Sequence, residues 1–451
     1  MFDKKNIKIY NSLTNTVTEL KPIKENEISM YVCGPTVYNH NHIGNARPVI
    51  FFDMVKKYLE YVGYKVKMVM NFTDIDDKII KKAIEENITE TEVSEKYIEA
   101  FLKLCDDLHC DKDVIRPRVT KTMDEIIDFI DKLQEKEFAY QSGDDVFFRV
   151  KKAKEYGVLS NQHLDDLESG SRINVNEQKE DPRDFTLWKK TNDTGKKWDS
   201  RFGAGRPGWH TECVVMIHKI LGNLIDIHGG GNDLKFPHRE NEIAQAMALC
   251  DNKIANYWLH NARVDLGGQK MSKSLGNVVL AKDVIAEYGA EATRLMILSN
   301  HYRQNINYSS ELMNTSVTEY NKIKNTKNSL QRKLELSDQK LEQPTLLPIM
   351  DEFLTELGND FNTSNAFTLV YKLLKEINSS LRNPNTNIND LNNQYLTLSD
   401  MLNILGINQE LKPLTEEEKE LVRKWQSARK EKNFELADEL RQEINSKGII
   451  F

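Results

Sequence analysis

The chain has 451 residues, 39% hydrophobic and 29% charged, which describes an ordinary globular protein of two to four domains and excludes a small stapled module. Its 62 basic and 69 acidic residues give a net charge of -7, so wholesale nonspecific nucleic-acid binding is excluded and any such contact must use local basic patches. No apolar run approaches the ~18 residues of a membrane span, Met1 to Leu20 lacks a secretory signal, and the scattered Cys33, Cys105, Cys110, Cys213 and Cys250 make a poor disulfide framework; a cytoplasmic protein with no membrane partner is expected.

In chain order, Ile28 to Cys33 predicts a short strand ending at Gly34-Pro35. Val49, Phe52, Val55, Leu59 and Val62 then recur at helical spacing within Ile43 to Val62, with Gly63 as C-cap, and Lys65 to Met70 is the next strand. Strand, crossover helix and strand within ~40 residues is the βαβ unit of a parallel sheet, whose ligands sit at the carboxyl ends of strands; Cys33 falls at such an end. Residues 116–201 are more polar, contain the stretch Val146 to Val150 and a turn near Gly195, and read as an insertion into the sheet. The sheet resumes with Leu224 to Ile227 as a buried strand, His228-Gly229-Gly230-Gly231 as its tight exit, a helix from near Pro237, and a strand at Trp258 to Val264. Ser310 to Leu336 and Thr363 to Ile377 carry helical periodicity with few glycines and predict a bundle. Asn383 to Asn393 reads as a solvated connection. Thr415-Glu416-Glu417-Glu418 is a capping-box pattern ahead of two charged helical segments.

Among residues with chemical potential, His238 and Glu242 stand at i and i+4, so one helix face presents both to a shared metal ion. Taken alone, the pair is better read as a histidine bonded to a carboxylate on a surface helix. Cys33 at a strand end and Cys213 after Gly208-Trp209-His210 add two soft donors, and a Cys, Cys, His, Glu set suits tetrahedral Zn2+. His210 and His218 compete as ligands at this stage. In Tyr38 to Arg47, His42 and Asn45 open a helix with Gly44 between them; free amides at a helix start attract an anion, and a glycine permits close approach of a flat base. The plain alternative is a turn with an exposed histidine. Gly267-Gly268-Gln269-Lys270-Met271-Ser272-Lys273-Ser274 sets two lysines in a glycine-led loop able to close over phosphates, although solvated lysines are the usual meaning of such a loop.

Together these pieces resemble class I aminoacyl-tRNA synthetases, whose signatures appear here as His42-Ile43-Gly44-Asn45 and Lys270-Met271-Ser272-Lys273-Ser274. The likeness sharpens to the cysteinyl-tRNA synthetase family through Tyr31 to Tyr38, Asn71 to Lys78, Gly205 to Cys213, Asp226 to Gly231 and Phe236 to Glu242, in family order over nearly the whole chain. Three positions depart from the usual pattern: Asn45 replaces the second signature histidine, Arg239 stands where another histidine is common, and Ser200-Arg201-Phe202-Gly203 replaces Ser-Pro-Trp-Gly. The resemblance implies an α/β fold with a Rossmann-like catalytic domain in residues 1–115 and 202–306, a connective insertion at 116–201, a helical bundle at 307–404 and a small anticodon-binding domain at 405–451.

It further implies activation of L-cysteine by ATP with Mg2+ and transfer to tRNA(Cys), by a monomer holding one Zn2+ through Cys33, Cys213, His238 and Glu242. His42, Gly44, Asn45, Lys270 and Lys273 would hold ATP, with His42, Asn45, Lys270 and Lys273 serving the reaction, while Thr73 and Trp209 would wall the amino-acid pocket. The attacking carboxylate is already ionised at pH 7, so no protein nucleophile or base is needed. Arg423-Lys424-Trp425, Arg429-Lys430, Lys432 and Phe434 interleave basic and aromatic residues as unstacked bases require. A zinc hydrolase would share the donor set but have no use for the lysine loop, and a ligase acting on a small amine would lack the basic tail.

Overall fold

The computed structural model describes residues 4, 7–161, 178–191, 195–271 and 276–449. Two compact units emerge, one made of Lys4–Glu287 with His301–Tyr308, the other containing Tyr288–Asn300 and Ser309–Phe451.

In the first unit, the hairpin β1 (Lys8–Asn11) and β2 (Thr16–Glu19) precedes β3 (Glu27–Val32), α1 (Ile43–Tyr61) and β4 (Lys65–Met70). After α2 (Asp77–Glu86), α3 (Glu90–Asp107) and α4 (Met123–Glu135) come β5 (Ala139–Ser142), β6 (Asp145–Phe148), β7 (Phe185–Lys190) and β8 (Gly205–Pro207), which form an antiparallel sheet. Next follow α5 (Trp209–Ile220), β9 (Ile225–Gly231), α6 (Glu240–Cys250), β10 (Ala255–Asn261), β11 (Val264–Leu266), β12 (Gln269–Lys270), α7 (Ala281–Tyr288) and β13 (Ile306–Tyr308).

The central sheet is parallel throughout, in the order β10-β9-β3-β4. Its strands carry runs such as Met30-Tyr31-Val32 and Met68-Val69-Met70 that are buried without alternation, because helices cover both faces of such a sheet. From β3 the chain crosses through α1 to β4 on one side, while β9 and β10 lie on the other. The crevice between β3 and β9 is therefore the switch point at which open α/β sheets bind ligands. The insertion does not hang free of this layer: Ile126, Val146, Leu187 and Trp188 share one buried cluster with Tyr31, Val69, Val214 and Trp258.

Several elements differ from the sequence expectation. The His228-Gly229-Gly230-Gly231 run is the end of β9 itself and pairs with β10 as far as Gly231 and Asn261. The reason is packing: a Cβ on Gly229 would lie 2.3 Å from the Phe52 ring of α1, so the strand needs glycine where the helix rests on its backbone. The strand expected at Trp258 to Val264 begins earlier, at Ala255, and breaks at Ala262-Arg263 before β11. The segment Lys235–Arg239 is a π turn ahead of α6, which starts at Glu240 rather than Pro237.

The second unit is helical, comprising α8 (Ala290–Leu298), α9 (Ser310–Glu335), α10 (Ile349–Gly358), α11 (Thr363–Arg382), α12 (Ile388–Leu405), α13 (Glu416–Lys430) and α14 (Phe434–Ser446). The expected connection Asn383 to Asn393 is short: Asn387 caps α12 by accepting from the Asn389 amide, and Ile388 already begins the helix. Asparagine thus acts here as a helix start signal. The α13–α14 pair encloses a small core of Leu414, Leu421, Val422, Ile444 and Ile449, with Leu336 packed against it.

Candidate active site and metal centre

A cleft of about 480 Å³ opens where the parallel strands end, lined among others by Cys33, Thr36, His42, Met70, Gly231 and Asn261. Cys33 lines it, and behind Cys33 three further, buried donors gather around its sulfur. Cys33, just past β3, places Sγ 3.6 Å from Cys213 Sγ on α5, 3.7 Å from His238 Nε2 in the π turn and 3.9 Å from Glu242 Oε1 on α6. His238 Nε2 lies 2.9 Å from Glu242 Oε1. All four donor atoms fall within 4.8 Å of one another. Two sulfurs, an imidazole nitrogen and a carboxylate oxygen gathered around one point are a donor set that fits a zinc ion.

A second layer orients these donors. His228 Nε2 is 2.7 Å from Glu242 Oε2, which turns the other carboxylate oxygen towards the sulfurs. His210 and His238 face each other through their Nδ1 atoms at 3.1 Å, leaving His238 Nε2 to the donor group. Of the two histidines that competed in the sequence, His210 therefore backs the group, and His218 lies elsewhere, 4.0 Å from Cys250 Sγ. Arg239 is fully buried beneath the site, packed on the His228 ring and donating to the Gly229 carbonyl. Gly230 makes room for it, since a Cβ there would come 2.4 Å from the guanidinium.

Electrostatics favour the anionic form of two donors, Cys33 and Glu242, while the Cys213 thiol is pushed well above its usual range by its hydrogen bond to Cys33 and by burial. Hydrogen bonding to Cys213 holds the Cys33 thiol well below its usual range against the effect of burial, with Arg239 helping. Burial opposes ionisation of Glu242, yet His228 and His238 outweigh it and keep the carboxyl far down. Burial would likewise lower His238, but Glu242 and Cys33 raise it to about 9. A metal ion entering this group displaces such protons, so its binding is coupled to pH.

The wall of the cleft holds the signature turn. His42 is the N-cap of α1, and its amide donates to Asn45 Oδ1 at 3.3 Å, so Asn45 closes the helix start. The His42 imidazole lies over Gly44, where a Cβ would meet it at 2.8 Å. Ile43 N donates to Val279 O and Ala281 N to Asn41 O, both at 2.9 Å, which ties this turn to the chain leaving the lysine loop. Lys270 ends β12 and points Nζ to Asp233 Oδ2 at 3.4 Å. Lys273 lies outside the described residues. Trp209 lines the cleft and stacks on His238, ring centroids 4.3 Å apart. Thr73, by contrast, is buried beneath the floor, donating to Glu212 Oε2 at 3.1 Å and accepting from Asn71 Nδ2 at 3.3 Å, and is not among the cleft-lining residues. Asp233 was not singled out from the sequence, and Lys78, His228 and Arg239 appeared there only within motifs or as a departure from one, with no role at the site.

Comparison with known proteins adds the following. Residues 19–318 match the family model of the class I (C) tRNA synthetase catalytic domain, and residues 352–409 match the DALR domain. The chain is 47% identical to a cysteine–tRNA ligase of Shouchella clausii, over 98% of this chain and 97% of that one. It is 46% identical, over 98% and 97%, to the corresponding ligase of Halalkalibacterium halodurans. Among solved structures, the Mycobacterium tuberculosis methionyl-tRNA synthetase in complex with methionyl-adenylate shares the fold with TM-score 0.62 at 14% identity, covering 84% of this chain and 89% of that one. An Agrobacterium radiobacter LeuRS, in a ternary complex with tRNA and LeuAMS, gives TM-score 0.62 at 11% identity, covering 86% of each chain.

Proposed function

Since this chain belongs to the cysteine–tRNA ligase family of class I synthetases and is a ligase forming aminoacyl-tRNA (EC 6.1.1.16), we propose that it selects cysteine at the four-donor group behind its cleft and activates it beside the His42 turn. The observation that carries this reading is the convergence of Cys33, Cys213, His238 and Glu242 within 4.8 Å, with Cys33 lining a cleft walled by the signature turn. When bound there, Zn2+ supplies a soft Lewis acid that takes a thiolate in preference to a hydroxyl. Shape alone separates serine from cysteine by ~1 to 3 kcal/mol, whereas a 10⁴-fold preference needs about 5.5 kcal/mol. The donor set supports that difference without an editing domain. Trp209, stacked on His238, walls the amino-acid side, and Thr73 supports the floor through Asn71, whose Oδ1 accepts from the Gly34 amide at 2.9 Å.

The substrate carboxylate then attacks the α-phosphate of ATP, bound with Mg2+, and pyrophosphate leaves. His42, Gly44 and Asn45 at the amide-rich start of α1, with Lys270 and Lys273, receive the charge that spreads over the phosphate oxygens; fixed donors of this kind contribute about 2.7 to 4 kcal/mol each. The cysteinyl group passes to the terminal ribose of tRNA(Cys). Residues 1–115 and 202–306 form the catalytic domain in this reading, 116–201 the insertion, 307–404 the bundle and 405–451 the anticodon-binding part. It acts as a cytoplasmic monomer; among the described residues no helix is long and apolar enough to cross a membrane.

The test is pyrophosphate exchange with cysteine and serine in parallel, followed by tRNA charging, on the parent chain and Cys213→Ser. The variant is expected to bind less zinc, raise the Michaelis constant for cysteine at least tenfold and narrow the cysteine/serine ratio. An unchanged ratio with zinc depleted would overturn the selection role.

A further inference from the structure

Outside the cleft, two other cysteines meet at the end of α3. The helix closes with a Schellman motif: His109 adopts φ +57, its amide donates to Asp106 O at 3.0 Å, and the Cys110 amide donates to Cys105 O at 3.0 Å. This motif brings the side chains of its first and last residues together, a contact usually made by apolar groups. Here both are thiols, and they are in hydrogen-bond contact. Standard backbone dimensions and the 3.0 Å bond from Cys110 N to Cys105 O keep the two Cα atoms within roughly 7 Å, the reach of a disulfide.

The surroundings hold this geometry and charge one sulfur. Arg116 Nη2 approaches Cys105 Sγ to 3.6 Å, and a guanidinium beside a thiol favours the thiolate. Asp53 on α1 accepts from the Asp111 amide at 2.8 Å, while Lys57 donates to His109 O at 3.3 Å, so the turn is pinned on both sides of Cys110. Cys105 and Cys110 are 5% and 9% exposed; they sit at a helix end, where local opening costs least.

We propose that Cys105 and Cys110 are an oxidation site at which a hydroperoxide forms an intramolecular disulfide. The Cys105 thiolate attacks the peroxide, the O–O bond breaks, and Cys105 becomes a sulfenic acid as hydroxide leaves. The Cys110 thiol then displaces water from that sulfur to form the S–S bond. In sum the two thiols lose two electrons and two protons, and hydrogen peroxide is reduced to two waters. This site does not depend on the synthetase reading.

The test treats the full-length native protein with hydrogen peroxide, blocks free thiols with iodoacetamide and maps the peptides by mass spectrometry. Cys105 and Cys110 are expected to escape alkylation together, their linked peptide two hydrogens lighter, and to become alkylatable after dithiothreitol. In Cys110→Ser, Cys105 is expected to be trapped by dimedone as a sulfenic acid instead. Alkylation of both residues at doses that oxidise the half-buried Cys250, or crosslinks from either residue to a different cysteine, would overturn the proposal. The parent map alone decides the matter if the variant fails to fold.

Discussion

His210, His218 and His228 are all pushed below the usual imidazole range by burial, His210 to about 3 and His218 to about 4. His218 is the one removed from the donor group, on α5 against Phe129 and Cys250. An unfolded chain protonates it near pH 6.5, whereas the folded chain resists until about pH 4. Between those values the unfolded state binds more protons, so stability rises with pH and is lost as pH falls through this window. One such group contributes at most about 1.4 kcal/mol per pH unit, less with its residual exposure. His218→Gln is therefore expected to flatten the dependence of the urea midpoint on pH between about 6.5 and 4 relative to the parent, with the other buried histidines common to both. Parallel curves would show that His218 is protonated in the folded state.

At the scale of elements, the fit between α1 and β9 sets the floor of the cleft. A methyl on Gly229 would enter the Phe52 ring at 2.3 Å, and both Phe52 and the neighbouring His228 are fully buried. Gly229→Ala is expected to lower stability by about 1 to 3 kcal/mol, the usual cost of overpacking, and to weaken metal retention through His228 and Glu242. Denaturant midpoints and chelator competition measure the two effects, and a variant with parental values for both would contradict this packing. The parallel strands were legible because strands buried on both faces read as continuous apolar runs, and β3 and β4 fall where those runs are. The donor set was legible by ligand type. What escaped were facts of contact: the glycines after His228 look like a turn until Phe52 and Arg239 are seen lying on them. The hydrogen bond from the Thr73 hydroxyl to Glu212 could not be read from the sequence either. The partners of Glu242 and His238 are backing histidines supplied by β9 and α5, and only the folded contacts show that His228 and His210 orient those side chains.

At the scale of the whole molecule, the α13–α14 pair, whose Arg423, Lys424, Arg429 and Lys430 stand among slightly more numerous acidic residues, is held by a strap rather than a free tether. Along one face of α9, Lys327 donates to Gln409 O at 3.0 Å, Gln331 to Leu411 O at 2.9 Å and Arg332 to Lys412 O at 3.0 Å, while Glu335 accepts from the Leu414 amide at 3.3 Å. Positions i, i+4, i+5 and i+8 share a helix face, so this ladder fixes the chain just before the Leu414 core on which the pair is built. Lys327 and Arg332 are buried, and losing their hydrogen bonds leaves backbone carbonyls unpaired at about 1 to 3 kcal/mol each. In the proposed reading, in which this part contacts tRNA, loosening the strap spreads the orientations of Arg423, Arg429 and Lys432 and raises the entropy lost on binding. The double variant Lys327→Met, Arg332→Met is thus expected to raise the Michaelis constant for tRNA about tenfold in charging assays. Cysteine-dependent pyrophosphate exchange, which the proposed reading places at the cleft of the first unit, is expected to stay at the parental rate. Equal losses in both assays would indicate general destabilisation, and parental values in both would show that the strap has no part in presenting the α13–α14 pair to RNA.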